Sequence, residues 1–146
     1  MADEDELVTE HLAEFGIAFS RPELWEHRVE HAGPPPTYLY WDLDGGSFRI
    51  TPWRVVNPTF SVERFLAETV ERERDSSWQT IGDHKFVTWE QDGESRSRYY
   101  VTGRGDLVIT CSFAYDPELY ETDEYYSMAV DANLEETAEL LESLRF

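Results

Sequence analysis

The chain has 146 residues, of which 31 are acidic and 12 are basic, so its formal net charge is −19. A hydrophobic share of 40%, with 8 Phe, 8 Tyr and 5 Trp, supports one packed domain over residues 1–146 and argues against intrinsic disorder. Phosphate groups would repel the negative charge, which argues against nucleic acids and anionic membranes as partners and favours a cationic protein.

The first predicted element is an amphipathic helix within residues 1–15, at the periphery of the domain. Asp3 with Glu6 matches a capping box, and the apolar side chains that follow recur on one helical face. Gly16 ends this helix. A short strand over residues 17–19 comes next.

The middle of the chain begins with residues 25–31, whose pattern fits a helix or a strand. Residues 37–41 and 47–53 then read as two strands, and Asp44-Gly45-Gly46 between them supplies the positive φ angles of a tight hairpin. Apolar residues recur at helical spacing over residues 61–75 and predict a second helix.

The second half of the chain carries four more predicted strands, separated by glycine-containing turns, which form an antiparallel meander. These strands cover residues 78–81, 84–90, 96–102 and 106–113. A last helix is predicted with Asn133 as its N-cap and Glu136 at the third position. The order of elements predicts an α+β fold in which helices flank a central antiparallel β-sheet as an α/β/α sandwich.

Several short segments carry a family resemblance. They are Gly16-Ile17-Ala18-Phe19 followed by Pro22-Glu23-Leu24-Trp25, Phe48-Arg49-Ile50 ahead of the second helix, the glycine-punctuated meander, and the closing residues 140–146. Together they resemble the PsbP-like superfamily, which implies a central antiparallel sheet covered by helices. Members of that group serve as photosystem subunits, a Ran-binding factor and chaperones of secretion-system effectors, so the resemblance implies binding rather than catalysis. It transfers no functional residue, and the N-terminal helix is a departure from it.

Residues 115–126 are the preferred interaction site, because five acids and four tyrosines share twelve residues without a basic one. Tyrosine offers a rigid contact area, and neighbouring carboxylates attract Arg or Lys of a partner. The alternative is a solvated loop whose tyrosines only anchor it to the core. The predicted partner-binding residues are Tyr115, Asp116, Glu118, Tyr120, Glu121, Asp123, Glu124, Tyr125 and Tyr126.

The string His27-Arg28-Val29-Glu30-His31 matches the H-x-x-E-H pattern of inverted zinc peptidases. On a helix, the two histidines would bind zinc and Glu30 would activate water. On a strand, His27 and His31 would lie roughly 13 Å apart, too far to share one ion. A small metal-dependent hydrolase that uses His27, Glu30 and His31 is therefore the alternative function. Our main prediction is a protein without a metal or other cofactor.

The predicted strands also carry many aromatic residues, most of which we expect in the core. Alternation along a strand could leave one aromatic face exposed to a peptide or helix. The aromatic residues concerned are Tyr38, Tyr40, Trp41, Trp53, Trp78, Trp89, Tyr99 and Tyr100.

The compartment follows from what the sequence lacks. Residues 1–6 show neither the basic nor the apolar region of a signal peptide, and no apolar run reaches transmembrane length. Cys111 is the only cysteine, so no intramolecular disulfide can form. We expect a cytoplasmic protein in which Cys111 is a buried, small apolar residue.

The leading hypothesis is a non-enzymatic protein-binding module for a basic or amphipathic protein, of the immunity-protein, adaptor or effector-chaperone type. A third interpretation attributes the acidity to a salt-rich cytoplasm or to the base composition of the host, which would leave a structural domain without a dedicated acidic site.

Overall fold

The computed structural model describes residues 6–42 and 45–146. Within them, the strands are β1 (Leu7–Leu12), β2 (Ile17–Pro22), β3 (Glu26–His31), β4 (Thr37–Trp41), β5 (Ser47–Arg54), β6 (Ser77–Ile81), β7 (His84–Asp92), β8 (Arg96–Arg104) and β9 (Leu107–Tyr115). The helices are α1 (Val62–Arg72), α2 (Pro117–Thr122) and α3 (Glu124–Ser143), with a short 3-10 helix at Ala13–Phe15.

Seven of the strands in the described residues form one antiparallel sheet in the order β3-β4-β5-β9-β8-β7-β6. The predicted hairpin of β4 and β5 and the predicted meander from β6 to β9 are both confirmed. The last strand, β9, lies in the middle because it pairs with β5 as well as with β8. Asp44 of the predicted β4–β5 turn lies outside the described residues. Gly46 has a φ of 87°, and any side chain there would collide with the ring of Phe113.

Helices cover both faces of this sheet, which confirms the predicted α+β architecture. On one face, α3 and the separate hairpin of β1 and β2 enclose the main core, where Phe48, Ile50 and Phe113 are almost fully buried. On the other face, α1 packs Val62 and Leu66 against valines of the meander. Cys111 is fully buried in the main core, as predicted, and burial raises the pKa of its thiol.

The predicted N-terminal helix is wrong, because its described part forms β1 and the 3-10 helix. Strand β1 runs antiparallel to β2, from Leu7 opposite Pro22 to Leu12 opposite Ile17. Its less exposed positions alternate, which is the period of a strand. The apolar spacing favoured a helix because the inward position between Val8 and Leu12 is Glu10, which binds Arg21 and Tyr40. The Asp3 cap lies outside the described residues.

The second helix is confirmed but ends at Arg72, and its N-cap Ser61 accepts a hydrogen bond from the Arg64 amide at 3.2 Å. The predicted start of the last helix is wrong, because α3 begins at Glu124. Asn133 lies inside α3, is buried, and donates through its side-chain amide to the Gly45 carbonyl at 2.7 Å. That tertiary hydrogen bond stabilises Asn133 inside the helix, although asparagine intrinsically prefers the helix cap. No helix among the described residues is long and apolar enough to cross a membrane.

Candidate functional site

The acidic segment, residues 115–126, consists mainly of two helices rather than a loop. Asp116 caps α2, because its carboxylate accepts hydrogen bonds from the amides of Glu118 and Leu119 at 2.9 and 3.1 Å. Asp123 caps α3 in the same way, because its carboxylate accepts hydrogen bonds from the amides of Tyr125 and Tyr126 at 3.0 and 3.1 Å. These two carboxylates therefore hold the helix ends.

Three of the four tyrosines in the acidic segment also have structural partners. The Tyr126 hydroxyl accepts a hydrogen bond from the Asp116 amide at 2.8 Å, and the Tyr120 hydroxyl donates to Asp131 at 2.7 Å. The rings of Tyr115 and Tyr120 lie 5.3 Å apart, and all three tyrosines pack against the main core. The hydrogen bond to Asp131 raises the pKa of Tyr120.

The remaining predicted side chains of the acidic segment face solvent. Glu118, Glu121 and Glu124 are exposed, and Tyr125 is 84% exposed. Two apolar residues beside them were missed by the sequence prediction, since Leu119 is 42% and Met128 is 65% exposed. Met128 lies three residues after Tyr125 and so on the same side of α3, a spacing that would have identified it had the helix start been known.

The last two helices carry acidic side chains and no basic ones. Residues 117–143 contain nine acidic side chains and no Lys, Arg or His. Asp131, Glu135 and Glu139 are exposed at intervals of four residues, which makes them neighbours along one helical face. Among the described residues, Asp131, Glu135 and Glu139 take part in none of the ion pairs, which lie at Arg21, Arg49, Arg54, Arg72, Arg96 and Arg98.

The H-x-x-E-H string lies on β3, which is a strand at the edge of the sheet and exposed throughout. The helical geometry that would bring His27 and His31 to one ion is therefore absent. Glu30 instead binds Arg49 through two hydrogen bonds of 2.7 and 2.9 Å, and His31 accepts from the Gly33 amide at 3.1 Å. Within residues 6–42 and 45–146, no group of three or more His, Cys, Asp and Glu side chains could hold a metal ion.

No family model and no curated protein sequence matches this chain. Solved structures do match it. A protein from Bacteroides thetaiotaomicron VPI-5482 superposes with a TM-score of 0.65 and 18% identity over 88% of this chain. The matched region is 44% of the length of that protein. The cyanobacterial PsbP protein CyanoP from Synechocystis sp. PCC 6803 superposes with a TM-score of 0.54 and 15% identity over 95% of this chain and 91% of CyanoP. The fold is PsbP-like.

The predicted resemblance to the PsbP-like superfamily is thus confirmed for the fold. LpqN of Mycobacterium tuberculosis, a protein involved in cell envelope biogenesis, is also similar, with a TM-score of 0.42 and 10% identity over 95% of this chain and 89% of LpqN.

Most aromatic side chains of the PsbP-like sheet are held in packing contacts. Tyr40 and Tyr100 are buried in the main core, while Trp89 stacks on Tyr99 with ring centroids 5.0 Å apart. Trp78 differs from them, because it lies on the outermost strand β6 and is 47% exposed. Tyr38 and Trp53 line one groove, Trp89 and Tyr100 line another, and Trp41 lines a third, so the set does not share one pocket. Trp78 remains accessible at the edge.

Proposed function

We propose that this protein is a cytoplasmic, non-enzymatic binding module for a basic or amphipathic protein, acting as an immunity protein, adaptor or effector chaperone. The partner would bind the outer surface of α2 and of the first turns of α3. One observation carries this proposal. Leu119, Tyr125 and Met128 are exposed within ten residues of chain, among carboxylates that no basic side chain of either helix neutralises.

This surface has the composition of a binding hot spot. A fully accessible tyrosine can bury a large, rigid area against a partner, and a methionine beside it can adapt its shape to the contact. The exposed carboxylates of Glu118, Glu121 and Glu124 form a charged rim around these apolar groups. Such a rim speeds the encounter with a cationic partner and sets its orientation.

The charge pattern of α3 supports a role beyond folding. Like charges four residues apart destabilise a helix by roughly 0.2–0.5 kcal/mol for each pair. Asp131, Glu135 and Glu139 form two such pairs on the exposed face, and no basic residue lies in the last turn. A helix that only had to pack on the sheet would gain stability from mixed charges there. The PsbP-like fold is in keeping with a binding role, since the superfamily that the sequence resembles consists of binders.

The test is affinity capture from a lysate of the source cells, with bound proteins quantified by mass spectrometry. We expect Glu121→Lys with Glu124→Lys, and separately Tyr125→Ala, to reduce the recovered partner by about tenfold or more, as loss of a hot-spot residue does. Asp123 is left in place because it caps α3.

The matched control is Glu71→Lys with Glu94→Lys, which makes the same change in net charge at two exposed positions elsewhere. Equal losses in both double variants would mean that only net charge matters. Unchanged capture in all variants, with stability that climbs steeply with salt, would favour the salt-adapted structural domain instead.

A further inference from the structure

The two edges of the seven-stranded sheet differ in how they are protected. Edge strand β3 carries charged or histidine side chains at all positions but Val29, and its pairing with β4 shifts register beside that residue. Charges and bulges of this kind prevent an edge from pairing with another chain. The opposite edge strand, β6, reads Ser-Trp-Gln-Thr-Ile without a charge, and its first four residues are exposed. It lacks the usual protection.

The outward-facing backbone groups of β6 can be identified from its register. Ile81 lies opposite His84 across a two-residue turn, and such a closing pair exchanges hydrogen bonds. Because bonding alternates along antiparallel strands, Gln79 also bonds to β7, whereas the N–H and C=O groups of Trp78 and Thr80 point away from the sheet. Within the described residues, no hydrogen bond beyond the sheet is formed by these two backbones.

A groove flanks β6 on each face of the sheet. On the α3 side, a groove of about 700 Å³ carries the carboxylates of Asp75, Glu90, Asp92 and Glu142 and the single guanidinium of Arg98. Arg98 is already bound by Glu90, so the groove has a surplus of negative charge. On the α1 side, a groove of about 690 Å³ is lined by Trp78, Val62 and Leu66 and, around them, by Glu63, Asp83, His84 and Lys85. One side thus suits basic side chains, and the other offers an exposed indole.

We propose that β6 pairs with an extended segment of a partner protein in which basic residues alternate with apolar ones. Successive side chains of an added strand point to opposite faces, so its basic residues would enter the α3-side groove and its apolar residues would cover Trp78. A second copy of this chain is a poor occupant, because each copy carries a net charge of −19 and brings the same acidic groove. This site is separate from the proposed surface on α2 and α3.

The probe is a short synthetic peptide of alternating lysine and valine, with binding followed by fluorescence anisotropy of a label on the peptide. We expect Thr80→Pro to weaken binding by about tenfold, because it removes an outward N–H and leaves a peptide carbonyl without its donor. Thr80→Val keeps that N–H and should bind like the native protein. Asp75→Asn with Glu142→Gln should weaken binding by about threefold, as expected for exposed charges.

Hydrogen exchange of the native protein gives a readout that needs no variant. With the lysine–valine peptide bound, the amides of Trp78 and Thr80 should exchange at least about tenfold more slowly, while that of Gln79, already bonded to β7, should change little.

Three results would overturn the proposal. They are absence of peptide binding, equal protection of Trp78, Gln79 and Thr80, and equally tight binding of a peptide with glutamate in place of lysine. Sedimentation that shows dimers of the native chain, lost in Thr80→Pro, would assign the edge to a second copy. Tyr125→Ala should bind the peptide within twofold of the native protein, so a failure of the α2 and α3 surface would be told apart from a failure of this one.

Discussion

The sheet region and the two C-terminal helices treat charge in opposite ways. On the strands, five arginines form ion pairs with carboxylates, and the pair of Arg21 and Glu10 is largely buried. Residues 117–143, which span α2 and α3, contain nine acidic side chains and no Lys, Arg or His. Helix α1 carries mixed charges, since Glu68 lies four residues from both Arg64 and Arg72, and Arg72 pairs with Glu73 at the end of the helix. Acidic side chains are therefore paired with arginines on the sheet, whereas one face of α3 carries exposed acidic side chains without basic neighbours on the helix.

This difference separates the charges that hold the structure from those available to a partner. Arg21 donates to the carbonyls of Pro22 and Trp25 and to Glu10, and Glu10 also accepts from the Tyr40 hydroxyl. A buried cation needs such a set of acceptors because it has lost its hydration. The exposed carboxylates of α3 keep their water, so nothing in the fold requires them to be paired.

The largest effect is expected at the buried pair. Glu10→Ala should lower the free energy of unfolding by about 3–5 kcal/mol, because Arg21, whose side chain is 8% exposed, would keep its charge without a counterion. Urea denaturation measures this change. Glu30→Ala breaks the more exposed pair with Arg49 and serves as the control, with an expected loss below about 1 kcal/mol. Similar losses in the two variants would remove the distinction between structural and accessible charges.

Intermediate changes in the free energy of unfolding are expected on the two longer helices, with opposite signs on α3 and α1. Glu135→Lys replaces two repulsions, with Asp131 and Glu139, by two attractions, and should raise the free energy of unfolding by about 0.5–1 kcal/mol. Glu68→Lys does the reverse between Arg64 and Arg72 and should lower it by a similar amount. Thermal unfolding at low ionic strength measures both. A destabilised Glu135→Lys protein would show that the acidic face of α3 stabilises the fold.

The smallest effect concerns the exposed pair in acid. The hydrogen bond from Arg49 is the main cause that lowers the pKa of Glu30, and burial opposes it. A carboxylate with a lowered folded-state pKa contributes stability above its unfolded pKa, and that contribution is lost as the pH falls through the folded value. Arg49→Met should therefore be less stable than the native protein at pH 7 by under about 1 kcal/mol, and the difference should shrink below about pH 4. A difference that persists in strong acid would mean that Arg49 stabilises by packing.

Local sequence patterns were sufficient to predict the strands and helices whose residues fit only one kind of secondary structure. The glycine turns and alternation of the meander predicted β6 to β9, and apolar residues at helical spacing predicted α1. The prediction for residues 7–12 was wrong because a charged residue, Glu10, takes an inward position of the strand, where it binds Arg21 and Tyr40 from outside the segment. The start of α3 was misplaced because Asp123 and Asn133 are both good caps, and only the contact of Asn133 with Gly45 shows which one lies inside the helix.

The sequence by itself determined the excess of acid, the absence of basic residues between Arg104 and Arg145, and the sheet-and-helix order that underlies the PsbP-like likeness. Tertiary structure alone decided which side chains are free. It fixed Asp116 and Asp123 as helix caps, turned Tyr115, Tyr120 and Tyr126 inward, and exposed Tyr125 beside Met128. It also made β6 an open edge. Exposure and pairing depend on residues distant in sequence, so composition can state how much charge there is but not which carboxylates and which strand remain unpartnered.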